Sequence, residues 1–151
     1  MLNIALYQPD IPQNVGAMIR LCACMNTGLE IIEPASFPWD DRKIKQAAMD
    51  YMTKVNYQRH SSWQKFCDAT KDRRVVLMST KASQPYTDFE FKVDDILMAG
   101  SESAGVPENI HDAVDERIFI PMQPGMRSLN IVNATSMILG EALRQTRWST
   151  S

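Results

Sequence analysis

Long apolar runs are missing from this sequence, which nowhere reaches the roughly 18 consecutive apolar residues of a membrane-spanning helix. Met1 leads directly into the strand-like stretch Asn3–Tyr7, without the basic region and apolar core of an export signal. A cytoplasmic location and no membrane partner are therefore expected. Cysteine is scarce, and Cys22, Cys24 and Cys67 are an odd number with no ladder of spacings, which argues against a disulfide framework. Cys22 and Cys24 stand two apart in an apolar helical stretch, so they point to different faces and suit joint metal binding poorly. Packing in the core is the expected role of the thiols. His60 and His111 lack a second histidine or an acidic residue at a metal-site spacing, and read as surface or hydrogen-bonded side chains. No metal is expected.

An excess of one charge is missing too. The formal net charge of -2 neither draws the chain to a polyanion nor repels it strongly, so only local clusters of basic residues bear on nucleic-acid binding. Three such groups exist: Arg42, Lys43 and Lys45; Lys71, Arg73 and Arg74; Arg144 and Arg147. Each alone reads as a solvated helix face or turn. No G-x-G-x-x-G follows the first strand and no G-x-x-x-x-G-K occurs anywhere, which excludes the ordinary dinucleotide and triphosphate cradles.

What is present suits one domain. A chain of 151 residues is long enough for one sizeable core, and 44% hydrophobic with 23% charged residues is close to the globular average. Short apolar runs alternate with helical stretches, the pattern of a parallel sheet flanked by helices. Strands are expected at Asn3–Tyr7, Leu29–Glu33, near Val55, at Arg74–Thr80, Asp95–Gly100 and Arg117–Pro121. Helices are expected to open near Asn14, to run from about Asp41 to Tyr51, to cover Ser61–Ala69, and to close the chain from about Ser128 to Arg147. No repeat, low-complexity tract or composition break marks a linker, so residues 1–151 read as a single α/β domain.

In open α/β sheets ligands bind beyond the carboxyl ends of the strands, and three of the loops there are unusual. After the first strand comes QPDIPQNVGAMIRLCAC, in which Asn14 is a plausible N-cap. Arg20 is the only charged residue between Ile11 and Leu29, and it must snorkel, pair or meet an anion. After DILMAG comes SESAGVPENI, where Gly100 and Gly105 bracket Glu102 and Pro107 is placed to open a helix. The third is IFIPMQPGMRSLNIVNA, whose Pro121, Pro124 and Gly125 preclude regular structure, whose Met122 and Met126 call for an apolar contact, and whose Ser128 can cap the last helix. Two largely apolar Gly- or Pro-bearing loops suit a flat adenine and a thioether-like chain.

These residues carry a resemblance. NVGAMIR, LMAGSESAGVP and IPMQPGMRSLNIVNA, in that order and at those positions, resemble the three signatures of the SPOUT-superfamily RNA ribose 2′-O-methyltransferases, most closely the small tRNA (cytidine/uridine) wobble-position enzymes. The likeness runs from MLNIALYQPDIPQNVG through IIEP and FPWDD to the C-terminal helix. It implies an α/β fold with a C-terminal trefoil knot and S-adenosyl-L-methionine held around Met78, Gly100, Ile120, Met122, Ser128 and Leu129. It also implies tRNA, through its anticodon stem-loop, as substrate. Two positions depart from the pattern: Ala17 stands where a second Asn is usual, and Gly140 where an aromatic residue is expected.

The implied chemistry needs a ribose hydroxyl aligned with an activated methyl, and one proton moved. Arg20 is the centre the resemblance proposes for that step. An arginine side chain stays protonated under ordinary conditions, so orienting the hydroxyl and the adjacent phosphate suits it better than accepting the proton. Asn14, Ser128 and Asn130 are further candidates in the catalytic group, and Glu102 and Arg127 join Arg20 as candidate substrate contacts. A homodimer is expected, because the last helix is apolar around much of its girth, from Leu129 to Leu143, and needs burial on more than one side. The alternatives are a ribose 2′-O-methyltransferase acting at another tRNA or rRNA site, a non-catalytic RNA-binding module of the same fold, and a small nucleotide-binding α/β protein.

Overall fold

The computed structural model describes residues 1–126 and 129–148. Six parallel strands form one sheet: β1 (Asn3–Tyr7), β2 (Gly28–Ile32), β3 (Tyr57–His60), β4 (Val75–Met78), β5 (Ile96–Ala99) and β6 (Glu116–Ile118), in the order β3-β2-β1-β5-β4-β6. The helices are α1 (Pro12–Met25), α2 (Asp41–Ala48), α3 (Trp63–Ala69), α4 (Glu108–Ala113) and α5 (Ile131–Thr146).

Alternation along each strand sorts the side chains to two faces. Ile4, Leu6, Leu29, Ile31, Leu97 and Ala99 meet α1, α2 and α5 on one face, through Val15, Met18, Ile19, Ile44, Ile138 and Leu139. Ala5, Tyr7, Ile32, Leu77, Ile96 and Met98 meet Phe66 of α3 and Ile110 of α4 on the other. The inner strands β1, β4 and β5, covered on both sides, are apolar almost throughout, which is why their sequences read as continuous runs, whereas the outer β3 and β6 carry polar residues.

Several boundaries differ from the sequence expectation. α1 starts at Pro12, two residues before Asn14, because proline suits the first turn of a helix; Asn14 lies inside the helix and does not cap it. The second helix ends at Ala48, and Met49–Lys54 continues as a 3-10 turn. β3 lies at Tyr57–His60, beyond Val55. α5 begins at Ile131, where the Asn130 side chain accepts from the backbone N–H groups of Val132 and Asn133 at 2.8 and 3.4 Å, so Asn130 is its cap. Ser128, expected in that role, and Arg127 lie outside the described residues.

Cys22 is wholly buried, whereas Cys24 is exposed and so departs from the expected core role. His60 is 7% exposed, with its Nε2 3.6 Å from the Glu30 carboxylate, too far for a good hydrogen bond; it is a core residue where a satisfied or surface one was expected. Two of the basic clusters are partly consumed by the fold. Arg74 pairs with the buried Asp95 at 2.6 Å, and Arg73 donates to the backbone carbonyl of Met1 at 2.7 Å. Arg147 donates to the carbonyls of Met25 and Asn26 at 2.5 and 3.1 Å, closing the C-terminal end of α1 with a positive charge.

Candidate active site

The strand order reverses between β1 and β5, so the chain leaves their carboxyl ends toward opposite faces and opens a crevice there. Polar groups tie its two lips together. Glu102 accepts from the backbone N–H of Asp10 at 2.8 Å and from the Asn14 amide at 3.2 Å. In return Asp10 accepts from the backbone N–H of Ser103 at 2.9 Å and from the Ser103 hydroxyl, and that hydroxyl leads the causes holding the Asp10 carboxyl below its usual range. Asn14 and Glu102 are thus brought into contact, with both Glu102 oxygens engaged by the chain itself.

The loop after β5 is a tight turn, in which Ser101 and Gly105 exchange backbone hydrogen bonds at 3.0 and 2.9 Å. Gly105 has φ of +66°, and a Cβ on Gly100 would stand 2.6 Å from the Gly105 carbonyl carbon. Glycine is required at both positions, one for its dihedral and the other for a backbone contact. Gly16 has a different reason: its missing Cβ would lie 2.4 Å from that of Ala47, so it lets α1 and α2 pack closely.

Beyond the turn a cleft of about 870 Å³ runs along the carboxyl ends of β4 and β5 to the start of α5. Asn14, Met78, Gly100, Glu102, Leu129 and Asn130 all line it. Next to it lies a smaller apolar cavity of about 100 Å³, where Ile120 and Met122 join Met78 and Leu129. The two share Met78, Ser79, Thr80, Leu129 and Ala134. Met122 therefore has the apolar setting the sequence called for, while Met126 is 67% exposed.

Arg20 is not part of the cleft wall. It is exposed on α1, with its Nη1 3.7 Å from the Met49 sulfur and its guanidinium carbon 5.5 Å from the centre of the Tyr51 ring. Among the described residues it has no carboxylate partner, so of the choices open to a lone arginine it takes the exposed one. Sequence reasoning missed Thr135 and read His111 as a surface or hydrogen-bonded side chain; both line the cleft, and their Oγ1 and Nε2 are buried without a hydrogen-bond partner among the described residues. A buried polar atom without a partner is uncommon, and two on one cleft mark it as a place for a ligand. Thr135 carried no sequence signal, because nothing local distinguishes a buried threonine from an exposed one.

No group of three or more His, Cys, Asp or Glu suited to a metal ion occurs among the described residues, and no helix of theirs is long and apolar enough to cross a membrane.

The SpoU rRNA Methylase family model matches residues 1–140. A tRNA (cytidine(34)-2'-O)-methyltransferase of Beijerinckia indica is 58% identical over 144 residues, covering 94% of this chain and 90% of the relative. The Escherichia coli K12 protein of the same name is 41% identical over 147 residues, covering 96% and 94%. Among solved structures, one described as giving insight into the 2-OH methylation of C/U34 on tRNA superposes with a TM-score of 0.91 at 35% identity, covering 96% of this chain and 95% of that one. The SpoU methyltransferase AviRb of Streptomyces viridochromogenes, in complex with the cofactor AdoMet, superposes with a TM-score of 0.89 at 25% identity, covering 100% of this chain and 59% of that one.

Proposed function

We propose, since the chain belongs to the SpoU rRNA methylase family, that it transfers a methyl group from S-adenosyl-L-methionine to the ribose 2′-hydroxyl of the first anticodon nucleotide, a pyrimidine, of tRNA. The observation that carries this reading is the 58% identity to a tRNA (cytidine(34)-2'-O)-methyltransferase over 94% of the chain. Residues 1–151 act as one catalytic domain, in the cytoplasm, and family membership supports a knotted passage before α5.

The cleft fits the methyl donor. Its volume of about 870 Å³ lies within the range of small-molecule sites, and the adjoining apolar cavity suits a flat base. Met78, Ile120, Met122 and Leu129 would hold the adenine, Gly100 the chain beyond it, with Ser128 as a further contact. When bound, the donor supplies a methyl group already activated on a sulfonium sulfur. The protein must then align the ribose and exclude water. Asn14 and Asn130 stand on the cleft wall for positioning the ribose, and Glu102 keeps Asn14 in place. Arg20 orients the 2′-hydroxyl and its neighbouring phosphate, the proton passing to a phosphate oxygen or another group, and Arg127 binds RNA phosphate. Because Arg20 lies off the cleft of its own chain, a homodimer built on α1 and α5 suits this assignment.

Incubation with labelled S-adenosylmethionine and bulk tRNA, followed by nuclease digestion, tests the reading. Label is expected on the 2′-oxygen of the first anticodon nucleotide. Absence of label, or label at another nucleotide, would overturn it. Arg20→Ala is expected to abolish transfer while leaving the thermal midpoint and the affinity for S-adenosylhomocysteine close to the parent.

A further inference from the structure

The exposed basic patch beside α1 has a feature that the reaction as described does not use. Tyr51, in the 3-10 turn Met49–Lys54, has two cations at its ring: the Arg20 guanidinium carbon at 5.5 Å and the Lys54 ammonium at 5.9 Å from the centroid. Neither cation has a carboxylate partner among the described residues. Six other arginines are matched to oxygen: Arg59, Arg74 and Arg144 to carboxylates, and Arg73, Arg117 and Arg147 to backbone carbonyls, whereas Arg42 on α2 has no such partner among the described residues. Two like charges gathered at one ring repel weakly in water, offset in part by the attraction of each to the ring, and an anion between them adds a net attraction. The turn's own acid, Asp50, forms an ion pair with neither.

The turn is held firmly enough to act as a support. It packs against α1, and Tyr51 and Met52 are half-buried against the core while Arg20 and Lys54 are exposed. Met49, which opens it, has φ 57° and ψ -131°, a conformation that L side chains rarely adopt and that persists only where the surroundings enforce it. Its sulfur touches Arg20. On the other side the turn continues from α2, which exposes Arg42, Lys43 and Lys45. Exposed basic side chains thus occur on α1, on the turn and on α2, beside the exposed acids Asp41 and Asp50.

We propose that the turn Met49–Lys54 is an RNA-phosphate clamp, in which the Tyr51 ring orients Arg20 and Lys54 onto the backbone flanking the target ribose. Tyr51 is a positioning residue that acts through Arg20, and Lys54 a phosphate contact. Phosphate is the occupant that the charges select: an aromatic ring with two unpaired cations repels a cationic ligand and offers no carboxylate to a neutral one. The inference rests on the reading of the chain as an RNA 2′-O-methyltransferase.

Steady-state methylation of tRNA at several salt concentrations tests it on the parent, Tyr51→Phe, Tyr51→Leu and Lys54→Gln. Tyr51→Leu is expected to lose about tenfold or more in kcat/KM, since misplacing a reacting group by an ångström is enough for that, whereas Tyr51→Phe keeps the ring and stays within about two-fold of the parent. Lys54→Gln is expected to raise KM for tRNA and to reduce the slope of log affinity against log salt by about one. Affinity for S-adenosylhomocysteine is expected to be unchanged in all three. Tyr51→Leu within about two-fold of the parent, or Lys54→Gln with the parent's salt slope, overturns the clamp. If Tyr51→Leu does not fold, the exposed Lys54→Gln decides alone. A parent that methylates no tRNA defeats the functional reading itself, and the clamp with it.

Discussion

Glu102 gives both carboxylate oxygens to groups on the first loop and helix, the Asp10 N–H and the Asn14 amide. Replacing it by alanine leaves both donors without their partner, a loss of about 1–3 kcal/mol where such groups are shielded from water. Glu102→Ala is therefore expected to lower the thermal midpoint and to reduce methyl transfer, because Asn14 is released from its place on the cleft wall. Calorimetry and the tRNA assay on the same preparation check both effects. The cysteines differ as sharply. Burial pushes the Cys22 thiol up to about 12, while Cys24 on the next stretch of the same helix is exposed. A thiolate is the reactive form, so a maleimide at neutral pH is expected to modify Cys24 in the folded protein and Cys22 only on unfolding. Mass spectrometry of the labelled peptides reads the difference. That the two lie on different faces was legible from their spacing; which of them is inside depended on where α5 and the sheet sit.

At the scale of elements, α5 is fastened along its length. Gln145 accepts from the backbone N–H of Phe91 at 2.8 Å and donates to the carbonyl of Phe89 at 2.9 Å, and Arg147 reaches the end of α1. Glu141 accepts from Arg144 and Gln145, which together hold its carboxyl down to about 2. A carboxyl with a lowered folded value stabilises the protein above its ordinary pKa near 4.5, and that contribution fades as pH falls from there toward about 2. Glu141→Gln is thus expected to be slightly less stable than the parent at pH 7, by a few tenths of a kcal/mol for so exposed a pair, with the gap closing below pH 4. Urea unfolding at the two pH values measures it. The existence of α5 and its C-terminal end were readable from its apolar periodicity. Its start was displaced by three residues, because serine and asparagine are equally good caps and only the path of the preceding loop selects Asn130.

For the molecule as a whole, the outer face of α5 is not fully covered in one chain. Met137 is 45% exposed, and Gly140 has no atom within 4 Å of where a Cβ would be. Glycine inside a helix costs about 1 kcal/mol relative to alanine, and no contact among the described residues explains it. A second copy approaching closely along α5 would. Sedimentation at micromolar concentration is expected to show a dimer, and Gly140→Glu or Met137→Glu to yield inactive monomers with a normal fold. Ala134, which the sequence suggested as another site for such a charge, lines the cleft and would confound the result. A stable, active monomer would contradict the homodimer.

Periodicity, turn residues and the order of three loops were local properties, and they determined the parallel α/β class and the loops that meet at the cleft. Local order also singled out Arg20, Asn14 and Glu102, since a lone charge or an acid between glycines is unusual in any context. Their relations were decided by the tertiary structure. The exchange of Glu102 and Asp10 across the crevice joins positions 92 residues apart, and the Arg20–Tyr51 contact crosses from one helix to a turn that reads as helix in the sequence. The burial of Thr135 and His60 likewise depends on which element covers them. Periodicity assigns a residue to a face, but only packing decides what that face meets.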